Sequence, residues 1–270
     1  MINIIQAIFL AIIQGITEWL PISSSGHLAI VEHFLNITAK DLVFFNVMLH
    51  FGTVLVIILV FRKEIINLLK SLFSKSRDKT TIEYKKMFYL LILASIPIAL
   101  IGFFFYDFFE NAFSNMILVA IALIITGLIL YSSKLTLKSQ KKKSITILDS
   151  IFIGIAQALA VMPGISRSGA TISTALIRNI DRQKAATFSF LLAIPAILGA
   201  TAFQLYKGIQ ENQILINQTL GITIIGVLVS FMVGYISLTW LLKIIKQGNF
   251  HYFSYYCWVI GLLILIISIF

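Results

Sequence analysis

Polar positions along this chain are sparse and bunched. Between them lie apolar runs at 42–62, 87–106, 115–133, 186–206, 218–242 and 252–270, each of roughly 20 residues. A helix rising 1.5 Å per residue needs about 20 residues to cross ~30 Å of hydrocarbon, so these six runs predict transmembrane helices. Two further regions, 2–36 and 148–180, are apolar but broken at mid-length. The breaks read Leu20-Pro21-Ile22-Ser23-Ser24-Ser25-Gly26-His27 and Pro163-Gly164-Ile165-Ser166-Arg167-Ser168-Gly169. Their arms, about 13 to 17 residues each, are too short to span comfortably. They predict re-entrant helical hairpins whose tips lie inside the membrane. The fold expected is an all-α polytopic membrane protein of eight to ten apolar segments: six transmembrane helices plus two re-entrant hairpins.

The chain also repeats itself. A shift of 143 residues aligns 8–26 with 151–169 without a gap, with eight identities in nineteen positions. Apolar matches are cheap in such a sequence, but Gln14/Gln157, Ser23/Ser166, Ser25/Ser168 and Gly26/Gly169 are not. The same shift pairs Phe45/Phe188, Leu49/Leu192 and Leu55/Leu198. A single integral membrane domain, 1–270, thus divides into a first repeat, 1–133, and a second, 148–270. Each holds one hairpin and three spans. Three is odd, so the halves are expected to be inverted relative to each other, an arrangement familiar from transporters.

Composition supports the bilayer: 59% of residues are apolar and 12% charged, where a soluble domain is near a quarter charged. Mean hydropathy is +0.97. The first segment, Ile2 to Leu20, lacks the basic start and small-residue cleavage site of a signal peptide. The lone Cys257 lies in an apolar run, which leaves no internal disulfide and suggests no redox role. A net charge of +10 would suit nucleic acid, but the cations form no stripe. They gather in loops 62–86 and 134–147 and at Lys243 and Lys246, as the positive-inside rule places cytoplasmic segments. With those loops inside, the first hairpin enters from outside, the second from inside, and both chain ends are external.

Ionisable groups at membrane depth are costly, so Glu18, His27 and Arg167 at the hairpin breaks stand out. Gln14 and Glu18, four apart, share a helix face. Ser is a favoured N-cap, and the unpaired N–H groups of a helix start form an anion site. Ser166-Arg167-Ser168-Gly169 repeats the device and adds a guanidinium suited to phosphate oxygens. Together they predict a site for a phosphate-bearing lipid, against the plainer reading of a buried Glu–Arg pair that closes the fold. Other polar residues carry less. His50 could line the cavity but is expected rather to be packed and hydrogen-bonded, Glu32 and His33 to be solvated near an interface, and His251 to be interfacial. Phe103, Phe104, Phe105 and Tyr106 are expected to face lipid, and Pro97 and Pro195 to kink their spans.

The stretches Gln14-Gly15-Ile16-Thr17-Glu18-Trp19-Leu20-Pro21-Ile22-Ser23-Ser24-Ser25-Gly26-His27 and Pro163-Gly164-Ile165-Ser166-Arg167-Ser168-Gly169-Ala170-Thr171 closely resemble the two signatures of the undecaprenyl-diphosphate phosphatase family, the bacitracin-resistance type. The resemblance covers essentially the whole chain. It implies hydrolysis of undecaprenyl diphosphate to the monophosphate carrier of cell-wall synthesis, in the bacterial cell membrane. It also implies catalytic roles for Glu18, Ser24, His27 and Arg167, with Gln14, Ser23, Ser25, Gly26, Ser166, Ser168, Gly169 and Thr171 as substrate-binding positions. The family's first motif, (E/Q)-x-x-x-E, stands here in its Gln form, leaving Glu18 the only carboxylate there. A divalent cation, Mg²⁺ or Ca²⁺, is implied as cofactor, held by Glu18 or mainly by the diphosphate. The implied partners are the polyprenyl diphosphate and membrane lipids, without nucleic acid; a homodimer stays open. Lipid phosphatases of the PAP2 type share Ser25-Gly26-His27 and Ser166-Arg167. They also require an Arg-Pro motif that is missing here and a histidine where Ser173 stands.

On this reading Ser24 or a water attacks, His27 acts as base and then acid, and Glu18 orients His27 or holds the cation. Arg167 and the helix starts neutralise phosphoryl charge. A lipid-phosphate transporter of the same architecture is the rival from another class, and a scaffold without chemistry is disfavoured by the buried charges.

Overall fold

The computed structural model of the chain describes residues 2–37, 42–136, 144–210 and 217–270. Its elements are α-helices, with short 3-10 turns at Ser133–Thr136 and Phe250–Tyr252, and there is no strand among the described residues. The helices are α1 (Ile4–Thr17), α2 (Ser24–Phe34), α3 (Val43–Val60), α4 (Arg62–Phe73), α5 (Lys79–Phe104), α6 (Tyr106–Ala112), α7 (Met116–Ser132), α8 (Ile147–Leu159), α9 (Arg167–Ile177), α10 (Arg182–Gln210), α11 (Asn217–Gln247) and α12 (Phe253–Ile269). Six segments are long and apolar enough to cross a membrane: Val43–Val60, Lys79–Phe104, Met116–Thr136, Arg182–Tyr206, Leu220–Gln247 and Phe250–Ile269. They coincide with the six runs read from the sequence.

Three of them reach further than the hydropathy. Helix α5 begins at Lys79, α10 at Arg182, and α11 continues to Gln247. Charged residues such as Lys85, Lys86 and Lys243 end an apolar run, but they are good helix formers and do not end a helix. For the same reason α4, inside what reads as a basic loop, is a finding of the structure alone. Pro97 and Pro195 both lie inside continuous helices, α5 and α10. Lys138, Lys141, Lys142 and Lys143 lie outside the described residues.

The short helices correspond residue by residue under the 143-residue shift. Helices α1 and α8 open on capping boxes, Asn3 with Gln6 and Thr146 with Asp149. Helices α2 and α9 begin at Ser24 and Arg167 and end at Phe34 and Ile177, again 143 apart. Both end in the same left-handed turn: Asn36 has φ 54° and Asn179 has φ 60°. The amides of Ile37 and Ile180 return to the carbonyls of Glu32 and Ala175, at 2.9 and 3.0 Å. That is the hydrogen bond of a Schellman motif, with Asn in the place usually taken by Gly. At 14, 11, 13 and 11 residues, these four helices are about 16 to 21 Å long, well short of a bilayer core.

Each half holds the other's break in place. Thr126 on α7 donates to the Gly164 carbonyl at 2.8 Å and accepts from the Ser166 amide at 3.0 Å. The buried Cys257 thiol on α12 reaches the Pro21 carbonyl, the equivalent position in the first half, at 3.7 Å. Ser237 on α11 ties into α1 at the Gly15 carbonyl, and Ser150 on α8 ties into α5 at Leu90, both at 2.6 Å. Trp19, 1% exposed, meets Phe190 of α10 edge-on at 5.9 Å, filling the core beneath the first break.

Candidate active site

The two breaks touch. A Cβ placed on Gly26 would lie 2.9 Å from the Gly164 Cα, so two backbones meet there at a distance that only glycine permits. Ser168 adds a second contact, donating to the Leu20 carbonyl at 3.5 Å. At this junction Ser23 and Ser166 cap α2 and α9, accepting from the Gly26 and Gly169 amides at 3.2 and 3.1 Å. Their hydroxyls also pair with Ser25 and Ser168, at 3.2 and 3.3 Å. Capping satisfies the third amide of each helix. The amides of Ser24, Ser25, Arg167 and Ser168 still lack intrahelical partners, because an α-helix offers none to its first turn. Two positive helix ends therefore meet at one place.

Glu18, which closes α1, is the hub. It is 5% exposed, and each oxygen is engaged. Oε2 accepts from Gln14 Nε2 at 2.9 Å and from Ser24 Oγ at 2.6 Å. His50 Nε2, from α3, stands 3.3 Å from the same oxygen. Oε1 takes the Arg167 guanidinium from the second half. Arg167 stays partly open to the junction, with 18% of its side chain exposed. Thr171 is turned back onto the Arg167 carbonyl at 2.8 Å.

Three pairings differ from those the sequence suggests. His50, expected to be a packed histidine, belongs to the site through its contact with Glu18. His27 does not meet Ser24 or Glu18: its ring bridges the Ser23 carbonyl at Nδ1 and the Tyr256 hydroxyl at Nε2, both at 2.8 Å. Since a carbonyl only accepts, Nδ1 carries the proton, and in the neutral ring Nε2 accepts from Tyr256. The rings of His27 and Tyr256 also stack, with centroids 5.6 Å apart. The serine's partner is therefore the carboxylate. Glu32 is likewise not solvated: it is 1% exposed and takes a 2.6 Å hydrogen bond from Asn46, with its other oxygen unpartnered. His251, expected at an interface, is buried. Phe103, Phe104 and Phe105 are exposed, as lipid-facing residues are, whereas the Tyr106 side chain lies outside the described residues.

Both Glu18 oxygens, the ones a metal would take, are already engaged by protein groups, Oε2 by Gln14, Ser24 and His50 and Oε1 by Arg167. Among the described residues no three His, Cys, Asp or Glu side chains come together as a metal cluster.

The family described as bacitracin resistance protein BacA matches residues 7–263. The chain belongs to the BacA family. It is 39% identical over 267 residues to an undecaprenyl-diphosphatase of Carboxydothermus hydrogenoformans, covering 98% of both chains. A second undecaprenyl-diphosphatase, from Alkaliphilus metalliredigens, is 37% identical with the same coverage. Undecaprenyl-diphosphatase 4 of Bacillus cereus is 40% identical over 97% of this chain and 96% of its own. In this BacA protein both signature stretches meet at the junction, which is what joins Glu18 to Arg167 across 149 residues of sequence.

Proposed function

We propose that this BacA-family chain hydrolyses undecaprenyl diphosphate to undecaprenyl phosphate and inorganic phosphate, within the membrane of a bacterial cell. The observation that carries the reading is the Ser24 hydroxyl, held 2.6 Å from a carboxylate that also binds Arg167 where two helix starts meet. The hydroxyl is a nucleophile, the carboxylate takes its proton, and the guanidinium and amides receive phosphoryl oxygens. Phosphoanhydride cleavage needs chiefly such positioning and charge neutralisation.

In this mechanism Ser24 Oγ attacks the terminal phosphorus as its proton passes to Glu18. The bond from that phosphorus to the bridging oxygen breaks, and undecaprenyl phosphate leaves with the electron pair. Water then hydrolyses the phosphoserine, freeing phosphate and returning the proton to Oγ. Arg167 has donors beyond those Glu18 takes and can bind two phosphoryl oxygens at once. His27, whose one ring proton is held by the Ser23 carbonyl, positions the Tyr256 hydroxyl rather than supplying a proton. A divalent cation, on this reading, arrives bound to the diphosphate, and no step above depends on it.

The fold reading that accompanies this function is a pair of re-entrant hairpins, α1–α2 and α8–α9, in two inverted repeats with cytoplasmic basic loops. It is supported by helices too short to span, by the shared 143-residue register of their caps and Asn turns, and by the mutual ties between halves. The same architecture suits a transporter of lipid phosphates. Purified protein in detergent, where no sidedness exists, separates the two. Phosphate release from C55 diphosphate is expected there, with Glu18→Gln reducing it ~100-fold or more and Gln14→Ala far less. Binding of the lipid without phosphate release would reject the enzyme reading.

A further inference from the structure

Away from the junction, at the far end of α3, a cavity of about 410 Å³ lies between the α3–α4 corner and α11. Leu59 and Val60 form its wall on the α3 side. Arg62 and Lys63, the first two residues of α4, stand at its head with Glu64 beside them. Helix α11 supplies Tyr235 and, four residues along the same face, Thr239. Arg62 and Lys63 are exposed and have no ion-pair partner among the described residues. One turn beyond Thr239 comes Lys243, also exposed. Two lining cations against one carboxylate leave the cavity net positive.

Its surroundings set its chemistry. The helix surfaces running from it into the span are apolar and open: Ile58 and Leu59 on α3, Met232 and Ile236 on α11. Trp240, exposed beside Thr239, marks the level where a bilayer turns from hydrocarbon to headgroup. A soluble anion would use the cationic head but gain nothing from these walls, and an apolar chain alone would leave the cations unpaired. A molecule with a negative phosphodiester and two acyl chains uses both. Basic pockets between helices at a membrane surface bind lipid headgroups for this reason.

We propose that this cavity is a binding site for an acidic phospholipid, independent of the phosphatase site. The headgroup phosphate lies against Arg62 and Lys63, with the Tyr235 hydroxyl as donor and the acyl chains along Leu59 and Ile236. The site locks α4 against α11 when occupied, so the lipid ties the basic segment after α3 to the second half of the chain.

The test uses the full chain purified in detergent, with phosphatidylglycerol, phosphatidylcholine of the same acyl chains, or inorganic phosphate added. Native mass spectrometry counts retained lipid and thermal melting reads stabilisation. Phosphatidylglycerol is expected to be retained and to raise Tm, whereas the other two do neither. Arg62→Gln/Lys63→Gln is expected to weaken retention roughly 30-fold, and Lys85→Gln/Lys86→Gln, which removes the same charge from α5, to leave it unchanged. Should the first double variant fail to fold, Tyr235→Phe keeps charge and shape and is expected to weaken retention roughly fivefold. Equal retention of phosphatidylcholine overturns the proposal, as does stabilisation by phosphate alone. So does equal loss in both lysine-containing double variants, or full retention in Tyr235→Phe.

Discussion

At the scale of single residues, the two roles proposed for the ion pair of Glu18 and Arg167 can be separated by mutation. As a structural closure, it matters because either charge alone would be buried without a partner, a cost of about 3–5 kcal/mol. As a phosphate clamp, it matters because the guanidinium fork fits phosphoryl oxygens, which a lysine ammonium does not. Arg167→Lys keeps the charge beside Glu18 and removes the fork. It should fold with near wild-type melting and lose ~100-fold in kcat, the size expected when one preorganised donor group is withdrawn from a transition state. Normal turnover in a stable Arg167→Lys protein would leave the pair purely structural. Glu18, His27 and Arg167 stood out in the sequence because an ionisable group inside an apolar run is costly to keep there without a use, whereas Ser24 was singled out by the family resemblance. His50 and Tyr256 were not. A lone histidine in a span, or one tyrosine among several near a terminus, gives the same signal whether it packs or reaches a site. Only the crossing of α3 and α12 past the junction brings them to Glu18 and His27.

Among elements, the junction depends on how closely α2 approaches the second break. Ser23 sits at φ 69°, a left-handed conformation unfavourable for a residue with a side chain, and Gly26 follows at contact distance from Gly164. Gly26→Ala should force the two backbones apart and abolish most phosphate release. Gly102→Ala on α5 is the control: nothing lies within 4 Å of its added methyl, and alanine is the better helix former by about 1 kcal/mol. Its activity should be unchanged and its Tm equal or higher. Equal activity in both variants would mean that close contact between the breaks is unimportant. The breaks within 2–36 and 148–180 were readable because they combine Pro, Gly and Ser, residues that stop helices and start new ones. Helix α4 escaped because hydropathy averages over its lysines, although Ile65, Leu68 and Leu72 recur at helical spacing and its Leu68 is buried.

For the whole molecule, the charge pattern makes a claim about sidedness. If the basic segments are cytoplasmic, cysteines introduced singly at Ser74 and Ser144, in a Cys257→Ser background, should resist an impermeant thiol reagent in intact cells. A cysteine at Ser114, between α6 and α7, should react. All three positions are partly or fully exposed, so access is governed by the side of the membrane. Labelling of both Ser74 and Ser144 from outside would reverse the topology, and labelling of only one of them would undo the inverted arrangement. Six spans could be counted in advance because each is a continuous apolar run. How they interleave could not, since lipid-facing and helix-facing positions in a span are equally apolar and carry little pattern.

The ties from Thr126 to Gly164 and from Cys257 to Pro21 have a further consequence. Each half of the chain supplies a clasp for the other's broken segment. A polypeptide of one half, made by itself, would expose an unfastened break to lipid and have no opposite charge for Glu18 or Arg167. In the proposed inverted arrangement, two such polypeptides could complete each other only in opposite orientations across the same bilayer. If the chain arose by doubling of a shorter ancestor, that ancestor would have had to insert both ways round.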